Sequence, residues 1–288
     1  MIQGARPEPG GAAPDAPSLA HKEAALRRTL ADLGSVVVAF SGGVDSAYLA
    51  WVAADVLGDR ALAVTADSPS YPAHHRQLAL RVVNAFALHH CFIQTDELSR
   101  PEYRANPENR CYYCKQELFG RLTALARDEG YAAVVDGSNA DDRGDHRPGR
   151  QAAREFGVRS PLDEADLTKT EIRQLSRDAE LPTWDEPASA CLSSRIPYHV
   201  EVSTETLARV ERAETALRGL GFRVFRVRHH DVVARLELGR DELARALDPD
   251  VRATVVREIK AAGYQFVALD LEGYRVGSLN EPLRLHPV

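Results

Sequence analysis

Short apolar runs of strand length alternate with segments of helical spacing over the first two thirds of the chain. The strand-like runs lie at residues 35–40, 61–67, 91–95 and 131–137, and the helical segments at 19–33, 44–57, 73–89, 114–128 and 169–180. Apolar strands that alternate with helices form a parallel sheet covered by helices on both faces. The pattern therefore predicts an α/β fold with a doubly wound parallel sheet, whose ligands bind beyond the carboxyl ends of the strands.

The pattern changes after Pro182. Residues 183–199 are irregular and rich in Ser, Pro and small residues. The pattern beyond them predicts a helix at 203–219, strands at 222–229 and 231–238, helices within 241–262 and a strand at 264–270. A chain of 288 residues has the length of about two domains. We expect a disordered tail at 1–18, the doubly wound domain at 19–182, a linker at 183–199 and a smaller α+β domain at 200–288.

Charge and composition exclude several classes of protein. The chain has 36 Lys and Arg against 42 Asp and Glu, a net charge of −6, and residues 200–288 sum to zero. Because a nucleic-acid-binding domain usually has a basic excess, we expect no nucleic-acid partner. No apolar run reaches the roughly 18 residues of a membrane span, so we expect none. Four cysteines and no secretory signal favour a cytoplasmic protein with reactive or metal-binding thiols.

The most specific local pattern is Ser-Gly-Gly-Val-Asp-Ser at residues 41–46, directly between a predicted strand and a predicted helix. Its two glycines allow a tight turn and close approach to a ligand, and the N–H groups at the start of a helix favour an anion. The loop lacks the Gly-Lys-Ser/Thr of a P-loop, which argues against γ-phosphoryl transfer. The residues expected at the anion are Ser41, Gly42, Gly43, Asp45 and Ser46.

This loop and the whole doubly wound domain resemble the PP-loop ATP pyrophosphatases. The resemblance implies that ATP is split between its α- and β-phosphates and that AMP is transferred to an oxygen of the substrate. Residues 160–162 and 168–173, Ser-Pro-Leu and Thr-Lys-Thr-Glu-Ile-Arg, are similar to a stretch that lies beside the nucleotide in PP-loop synthetases. The similarity implies that Lys169 faces a phosphate. The alternative is that the charges of this helix start are caps and surface groups.

An acidic loop follows the last strand of the predicted sheet. Asp-Gly-Ser-Asn at residues 136–139 is followed by Asp141, Asp142 and Asp145. Carboxylates beside a triphosphate hold Mg²⁺ through oxygen ligands, so Asp45, Asp141 and Asp142 are candidate Mg²⁺ ligands. The alternative is a solvated or capping acidic loop.

Three of the four cysteines form a pattern. Cys111 and Cys114 make a C-x-x-C pair, and Cys191 lies 77 positions further on. Such a pair serves as a redox couple, as half of a zinc site or as a clip for an iron–sulfur cluster. Three thiolates without a fourth suit a [4Fe–4S] cluster with one open iron, since closed clusters take four Cys. Cys91 begins a predicted core strand, and we expect an inert buried thiol there.

The order of several motifs identifies a narrower resemblance. They are the loop at 40–46, Asp-His-Arg-Pro-Gly at 145–149, and the segments 160–173, 188–198 and 221–231. Over residues 20–280 the chain resembles the LarE family. These ATP-dependent sulfur transferases help to build the nickel-pincer nucleotide cofactor of lactate racemase.

The resemblance implies a reaction and a sulfur source. The substrate is a pyridinium mononucleotide with two ring carboxylates; ATP adenylylates one of them, and a sulfur nucleophile displaces AMP to give a thiocarboxylate. In family members with one such cysteine, the residue matching Cys191 donates its own sulfur and becomes dehydroalanine. The pair Cys111 and Cys114 instead matches the subgroup whose three thiolates hold a [4Fe–4S] cluster. A sulfide on the open iron is then the transferred atom, and sacrifice of Cys191 stays as the alternative.

The resemblance also implies a site for the substrate phosphate. Arg195, Arg226 and Arg228 match family positions at the substrate nucleotide, Ser194 adds a hydroxyl, and Glu214 matches an acidic residue nearby. Arg226 and Arg228 are two apart, so a strand points both to one face, and guanidinium groups bind phosphate in a bidentate manner. The alternatives are surface arginines and an ordinary exposed helix Glu214.

Two other functions use similar motifs. A tRNA thiolase combines a PP-loop with C-x-x-C and a distant Cys, but the acidic charge balance argues against it. A nucleotide-binding module with structural zinc would bind ATP without releasing pyrophosphate.

The expected partner is the small-molecule mononucleotide, with no nucleic acid and no membrane. Family resemblance implies a homo-oligomer, with a hexamer among the forms it suggests.

Six of the ten histidines occur as three adjacent pairs. They are His74–His75, His89–His90 and His229–His230. Because adjacent residues do not share a face of a helix or strand, the pairs are poor metal chelates and we expect them to be solvated.

Overall fold

A computed structural model describes residues 17–144, 148–187, 190–275 and 277–280. Its first sheet has four parallel strands in the order β3-β2-β1-β4, namely β1 (Val36–Ala39), β2 (Ala61–Asp67), β3 (His90–Gln94) and β4 (Ala133–Val135). The doubly wound parallel sheet is confirmed. Residues 1–16 of the predicted tail, Asp145 and part of the motifs at 145–149 and 188–198 lie outside the described residues.

Eight helices in the described residues precede or accompany this sheet. They are α1 (Leu19–Leu33), α2 (Val44–Leu57), α3 (Ala73–Phe86), α4 (Pro101–Arg104), α5 (Arg110–Asp128), α6 (Pro148–Glu155), α7 (Pro161–Glu164) and α8 (Lys169–Asp178). Three more follow: α9 (Thr204–Gly219), α10 (Arg240–Leu247) and α11 (Pro249–Ala261). Across the part of the chain that the structure describes, no helix is long and apolar enough to cross a membrane.

Strand β1 shows why its sequence is a continuous apolar run. Val36 and Val38 pack into a core with side chains of α1, α2 and α8, whereas Val37 points to the opposite face and packs with Phe119 of α5 and Ala152 of α6. Successive side chains of a strand point to opposite faces, so a strand covered on both sides must be apolar at every position.

The second sheet is mixed and smaller. β5 (Phe225–His230) and β6 (Val233–Leu238) form an antiparallel hairpin, and β7 (Phe266–Leu269) lies parallel to β6 after the crossover through α10 and α11. Leu217 of α9 packs on the inner face of this sheet. The α+β character of this part is as expected, and the domain bounds at residues 182 and 200 stay predictions.

Element ends differ from the predicted ones where single residues decide them. α5 begins at Arg110 rather than at 114, which puts the C-x-x-C pair into the first turn of a helix. α3 ends at Phe86 because Ala87 adopts a left-handed conformation, φ +49°. The helices predicted within 241–262 meet at Asp248, whose side chain accepts hydrogen bonds from the first turn of α11.

Candidate active site

The glycine-rich loop at 41–46 has a backbone that only glycine permits at its tightest point. Gly42 has φ +72°, and a Cβ at that position would lie 2.7 Å from Ala79 N and 2.9 Å from His75 O. Both are backbone atoms of α3, which cannot move aside as a side chain would. The loop therefore lies directly on α3.

The same loop presents the start of α2 to the surface. The N-cap residue is Gly43, which has no side chain to cap the helix, and its backbone is extended. Ser46 Oγ donates to Gly43 O at 3.1 Å and accepts from Ser41 N at 3.2 Å, so the loop is closed by its own residues. The remaining N–H groups of the first turn stay available for an anion.

The loop after β4 meets the glycine-rich loop at the switch point of the sheet. The chain runs outward from β1 through β2 to β3 and returns to β4 on the other side of β1, so the loops after β1 and β4 diverge and leave a crevice. A Cβ on Gly137 would lie 3.0 Å from Ser46 N. Asn139 Nδ2 donates to Asp45 Oδ1 at 3.4 Å. The predicted nucleotide loop and the predicted acidic loop are thus in contact.

Lys169 points into this crevice. Its Nζ lies 2.5 Å from Asp45 Oδ2, and its backbone N donates to Asp141 Oδ2 at 2.9 Å. Asp142 is buried and accepts from Asn139 N at 3.1 Å, which makes it a turn-capping residue. The carboxylates of Asp45 and Asp141 lie beside Lys169 and are able to coordinate a metal ion. All three Mg²⁺ assignments stay predictions.

The start of α8 separates the two roles that the sequence left open. Thr168 and Glu171 form a capping box, and Glu171 also pairs with Lys22 at 3.0 Å. Glu171 therefore caps and anchors the helix, while Lys169 faces the nucleotide loop.

A short loop joins the nucleotide loop to the cysteine segment. We call residues 68–71 the bridging loop. Tyr71 Oη donates to Ser41 O at 3.0 Å, and Leu192 N donates to Ser70 O at 2.9 Å. Two adjacent residues thus hold the glycine-rich loop on one side and the neighbour of Cys191 on the other.

The bridging loop is fixed from behind by a buried carboxylate. Ser68 Oγ and Ser70 Oγ both donate to Glu97 Oε1, at 2.7 and 2.6 Å, and Glu97 is 2% exposed. These three residues are not among the predicted site residues, because nothing in their spacing shows that they meet.

The thiols of Cys111, Cys114 and Cys191 lie close enough to act electrostatically on one another. Cys111 and Cys114 occupy the first turn of α5 on one side of the helix, and Cys191 directly precedes a 3-10 turn at Leu192–Arg195. Burial raises the pKa of the Cys111 and Cys114 thiols, and the Cys191 thiolate raises both further. Cys111 is exposed, whereas Cys114 and Cys191 are half-buried. Cys91 lies apart in β3, and burial raises the pKa of its thiol.

The donor set of this three-cysteine centre, Cys111, Cys114 and Cys191, fits an iron–sulfur cluster with one open iron better than a four-ligand zinc site. Within the described ranges, no three His, Cys, Asp or Glu side chains already stand at the mutual positions that a metal ion requires. The three thiols nevertheless lie near enough to act electrostatically on one another.

A buried polar network locks the Cys191 segment onto α4 and α5. Tyr103 Oη and Ser193 Oγ are 2.6 Å apart, and Arg110 Nη1 donates to Ser193 O at 2.9 Å and to Asn106 Oδ1. Asn106 Nδ2 in turn donates to Pro197 O at 2.7 Å. These positioning residues were also missed; the one signal for them was the Arg that directly precedes the C-x-x-C pair.

Behind Cys191 lies a buried ion pair. Arg195 is 1% exposed, and its Nε and Nη2 donate to the two carboxylate oxygens of Glu214 at 2.8 and 2.9 Å. Its Nη1 donates to Cys191 O at 3.1 Å and to Ser194 Oγ at 2.9 Å. Glu214 is buried and also accepts from Val227 N, so the alternative of an exposed helix glutamate is wrong. Arg195 holds the Cys191 backbone in place.

Two further arginines stand on one face of β5, as their spacing predicted. Arg228 donates to Ser194 O at 2.7 Å and pairs with Glu237 at 2.9 Å. Burial and the positive charge of Arg195 together lower the pKa of Arg226 to about 10. A cation destabilised in this way favours a nearby anion. Binding of the substrate phosphate here stays a prediction.

Comparison with known proteins agrees with this geometry. The NAD synthase family matches residues 20–112, the part that carries the glycine-rich loop and the start of α5. An uncharacterized protein of Synechocystis is 46% identical over 90% of this chain and 96% of its own length. The pyridinium-3,5-bisthiocarboxylic acid mononucleotide synthase of Lactiplantibacillus plantarum is 38% identical over 92% of this chain and 96% of its own length. The chain belongs to the LarE family.

In this LarE-family chain the histidine pairs are not all solvated, so that prediction is wrong. His75 is buried between the glycine-rich loop and the arginines; burial lowers its pKa to about 4, helped by His74 and Arg195. His74 Nε2 lies 2.8 Å from Glu186. His229 is buried and 3.2 Å from Tyr264 Oη. His89 and His230 are exposed, whereas the side chains of His74 and His75 are both at least partly covered by protein.

Proposed function

We propose that this chain is an ATP-dependent sulfurtransferase that converts a ring carboxylate of pyridinium-3,5-biscarboxylic acid mononucleotide into a thiocarboxylate. The name of the Lactiplantibacillus plantarum relative supports this substrate. The observation that carries the proposal is the bridging loop, whose adjacent residues Ser70 and Tyr71 hold the Cys191 segment and the glycine-rich loop. An adenylylated carboxylate formed at one would be within reach of sulfur held at the other.

In the first step, a substrate carboxylate oxygen attacks the α-phosphorus of ATP. A P–O bond forms, the bond from the α-phosphorus to the bridging oxygen breaks, and pyrophosphate leaves. The N–H groups at the start of α2 bind the developing negative charge of pyrophosphate, with Lys169 beside them. Asp45 and Asp141 are the carboxylates that would hold Mg²⁺.

In the second step, a sulfur nucleophile attacks the carbonyl carbon of the acyl-adenylate. A C–S bond forms, the C–O bond to AMP breaks, and the thiocarboxylate results. Arg226 and Arg228 hold the phosphate of the substrate mononucleotide so that its ring carboxylate reaches both halves of the site.

The sulfur comes from the three-cysteine centre. Cys111, Cys114 and Cys191 would hold a [4Fe–4S] cluster, which would supply an exchangeable sulfide at its open iron. Arg195 and Ser193 keep the Cys191 backbone against α5. The alternative donor is the sulfur of Cys191 itself.

We place the chain in the cytoplasm as a homo-oligomer. We assign residues 19–182 to the nucleotide domain, 183–199 to the cysteine-bearing linker and 200–288 to the substrate or oligomerisation domain. All four cysteines are free thiols, which supports a reducing compartment.

Anaerobic purification followed by turnover with ATP, Mg²⁺ and the biscarboxylic mononucleotide tests the function. We expect about four iron and four sulfide per chain, several thiocarboxylate products per chain and an unchanged protein mass. Cys191→Ser should abolish the product, whereas the matched control Cys91→Ser should retain it.

Three other outcomes are informative. One product per chain with a mass loss of H₂S would make Cys191 the spent donor and reject the cluster. Bound zinc and ATP without pyrophosphate release would indicate a nucleotide-binding module. Thiolation of tRNA in place of the mononucleotide would overturn the substrate.

A further inference from the structure

The described part of the chain buries four Lys or Arg side chains, and one of them differs from the rest. Lys22 pairs with Glu171, Arg195 with Glu214 and Arg228 with Glu237. The fourth is Arg110, at the start of α5, which is 3% exposed. Within the ranges that the structure describes, no carboxylate oxygen lies within 4 Å of it, and its hydrogen bonds go to neutral oxygens. Burial of a cation without a nearby anion is costly, so a partner of opposite charge is expected.

The groups around Arg110 identify that partner. Both of its hydrogen bonds to oxygen, to Ser193 O and Asn106 Oδ1, come from Nη1, so neither of them uses Nε or Nη2. Arg110 directly precedes Cys111 at the start of α5, and its Nη1 donates to Ser193 O, two positions after Cys191. Burial lowers the pKa of Arg110, and the Cys191 and Cys111 thiolates oppose this, so that the pKa is raised overall. The sulfur groups of the three-cysteine centre therefore flank the Arg110 guanidinium.

We propose that Arg110 is the counter-charge of the three-cysteine centre, a positioning residue that stabilises the anionic assembly of three thiolates and an iron–sulfur cluster. This inference rests on the proposed function, because it takes the cluster as the occupant of the centre. Arg110 acts through two links. Its charge balances the sulfur atoms, and its bond to Ser193 O keeps the segment that carries Cys191 against α5.

Cluster retention and reduction potential test the charge directly. The full-length chain and the variants Arg110→Met and Arg110→Lys are reconstituted anaerobically with iron and sulfide. We expect iron release to a ferrous chelator to be on the order of 10-fold faster in Arg110→Met, as for other partners of metal ligands. The midpoint potential of its cluster should be more negative, since adding an electron near a lost cation is harder. Arg110→Lys keeps a charge and should lie between this variant and the unmodified chain.

A matched control separates charge from position on the helix. Arg121 is on the same helix but is exposed and pairs with Glu117, so Arg121→Met should behave as the unmodified chain does. Thermal unfolding of the iron-free proteins checks that the variants fold. If Arg110→Met does not fold, Arg110→Gln provides a neutral side chain that keeps a donor for Ser193 O.

The outcomes separate this inference from the function on which it rests. An unmodified chain that takes up no iron rejects the cluster and the inference together. The inference alone is overturned if the unmodified chain binds a cluster and the neutral Arg110 variants release iron at the same rate and have the same midpoint potential.

Discussion

The two halves of the site are built in opposite ways. The glycine-rich loop closes on itself through hydrogen bonds among residues 41–46. The ion pair between Lys169 and Asp45 beside it is partly exposed. The three-cysteine centre depends on buried contacts between residues 83 to 94 positions apart, such as Arg110 with Ser193 and Asn106 with Val200. The nucleotide side is thus specified by local backbone geometry, and the sulfur side by long-range packing of charged and polar groups.

This difference predicts where single substitutions act. On the sulfur side, loss of one partner leaves a buried charge unpaired and destabilises the fold. On the nucleotide side, partners are near water, and loss of one should impair ATP chemistry more than stability.

Glu214→Gln should have the largest effect on stability, because it leaves Arg195 buried without its carboxylate. We expect a loss of about 3–5 kcal/mol in the free energy of unfolding at pH 7, measured by urea denaturation. Burial opposes ionisation of Glu214, but Arg195 outweighs it and holds the pKa of this carboxyl below 4.5. Its contribution is therefore present above pH 4.5 and lost as the pH falls below it.

The matched control is Glu205→Gln on the same helix, where Glu205 is exposed and pairs with Arg209 at 3.0 Å. It should cost less than about 1 kcal/mol. The contrast between the two halves of the site would be wrong if both variants lost the same unfolding free energy. It would also be wrong if the difference in unfolding free energy between Glu214→Gln and the unmodified chain did not become smaller in acid.

Gly42→Ala tests whether the nucleotide side depends on backbone geometry. The added Cβ meets backbone atoms of α3 at 2.7 and 2.9 Å, so we expect ATP turnover to fall on the order of 100-fold. The strain should also cost at least about 2 kcal/mol in unfolding free energy. Gly34→Ala is the control, because Gly34 has a similar φ of +76° with no atom within 4 Å of an added Cβ. It should cost about 1 kcal/mol and leave pyrophosphate release unchanged; a similar loss of turnover in both variants would contradict the account.

His75 tests the junction of the two halves. Its pKa of about 4 in the folded protein lies below the ordinary 6.5, so the unfolded chain takes up a proton first as the pH falls. Stability should therefore decrease from pH 6.5 toward pH 4, by about 2 kcal/mol at pH 5 from this residue. His75→Gln should flatten the pH dependence of urea unfolding over this range, and the exposed His89→Gln should not. An unchanged pH dependence of the unfolding free energy in His75→Gln would show that the fold does not lower the pKa of His75.

Lys169→Met should have the smallest effect on stability. The pair with Asp45 is partly exposed, so we expect a change below about 1 kcal/mol in unfolding free energy. Pyrophosphate release should nevertheless fall at least roughly 10-fold, since a cation beside the phosphates is lost. Lys260→Met, on the exposed face of α11, serves as the control for both measurements. A stability loss as large as that of Glu214→Gln would place Lys169 among the structural ion pairs.

The same contrast explains what the sequence revealed. The parallel sheet was predictable because its central strand β1, Val36–Ala39, is covered on both faces and is apolar throughout. The glycine-rich loop was predictable because Gly42 and Ser46 lie within one local turn. The convergence of Cys191 with Cys111 came from family resemblance, since 77 or more positions separate Cys191 from the pair.

The network that positions those cysteines could not be predicted. Glu97, Tyr103 and Asn106 look like surface residues in sequence, and only the packing of α4 and α5 against the Cys191 segment buries them. The same holds for the histidines. His75 occupies a polar position of an amphipathic helix, and the arginines that cover it come from residues more than a hundred positions away.

Substrate-dependent exchange of pyrophosphate into ATP tests the division of labour most directly. The assay measures adenylylation of the mononucleotide without sulfur transfer. The account predicts that Cys191→Ser exchanges pyrophosphate as fast as the unmodified chain and forms no thiocarboxylate, while Gly42→Ala does neither. Loss of exchange in a folded, ATP-binding Cys191→Ser variant, or exchange that does not require the mononucleotide, would contradict it.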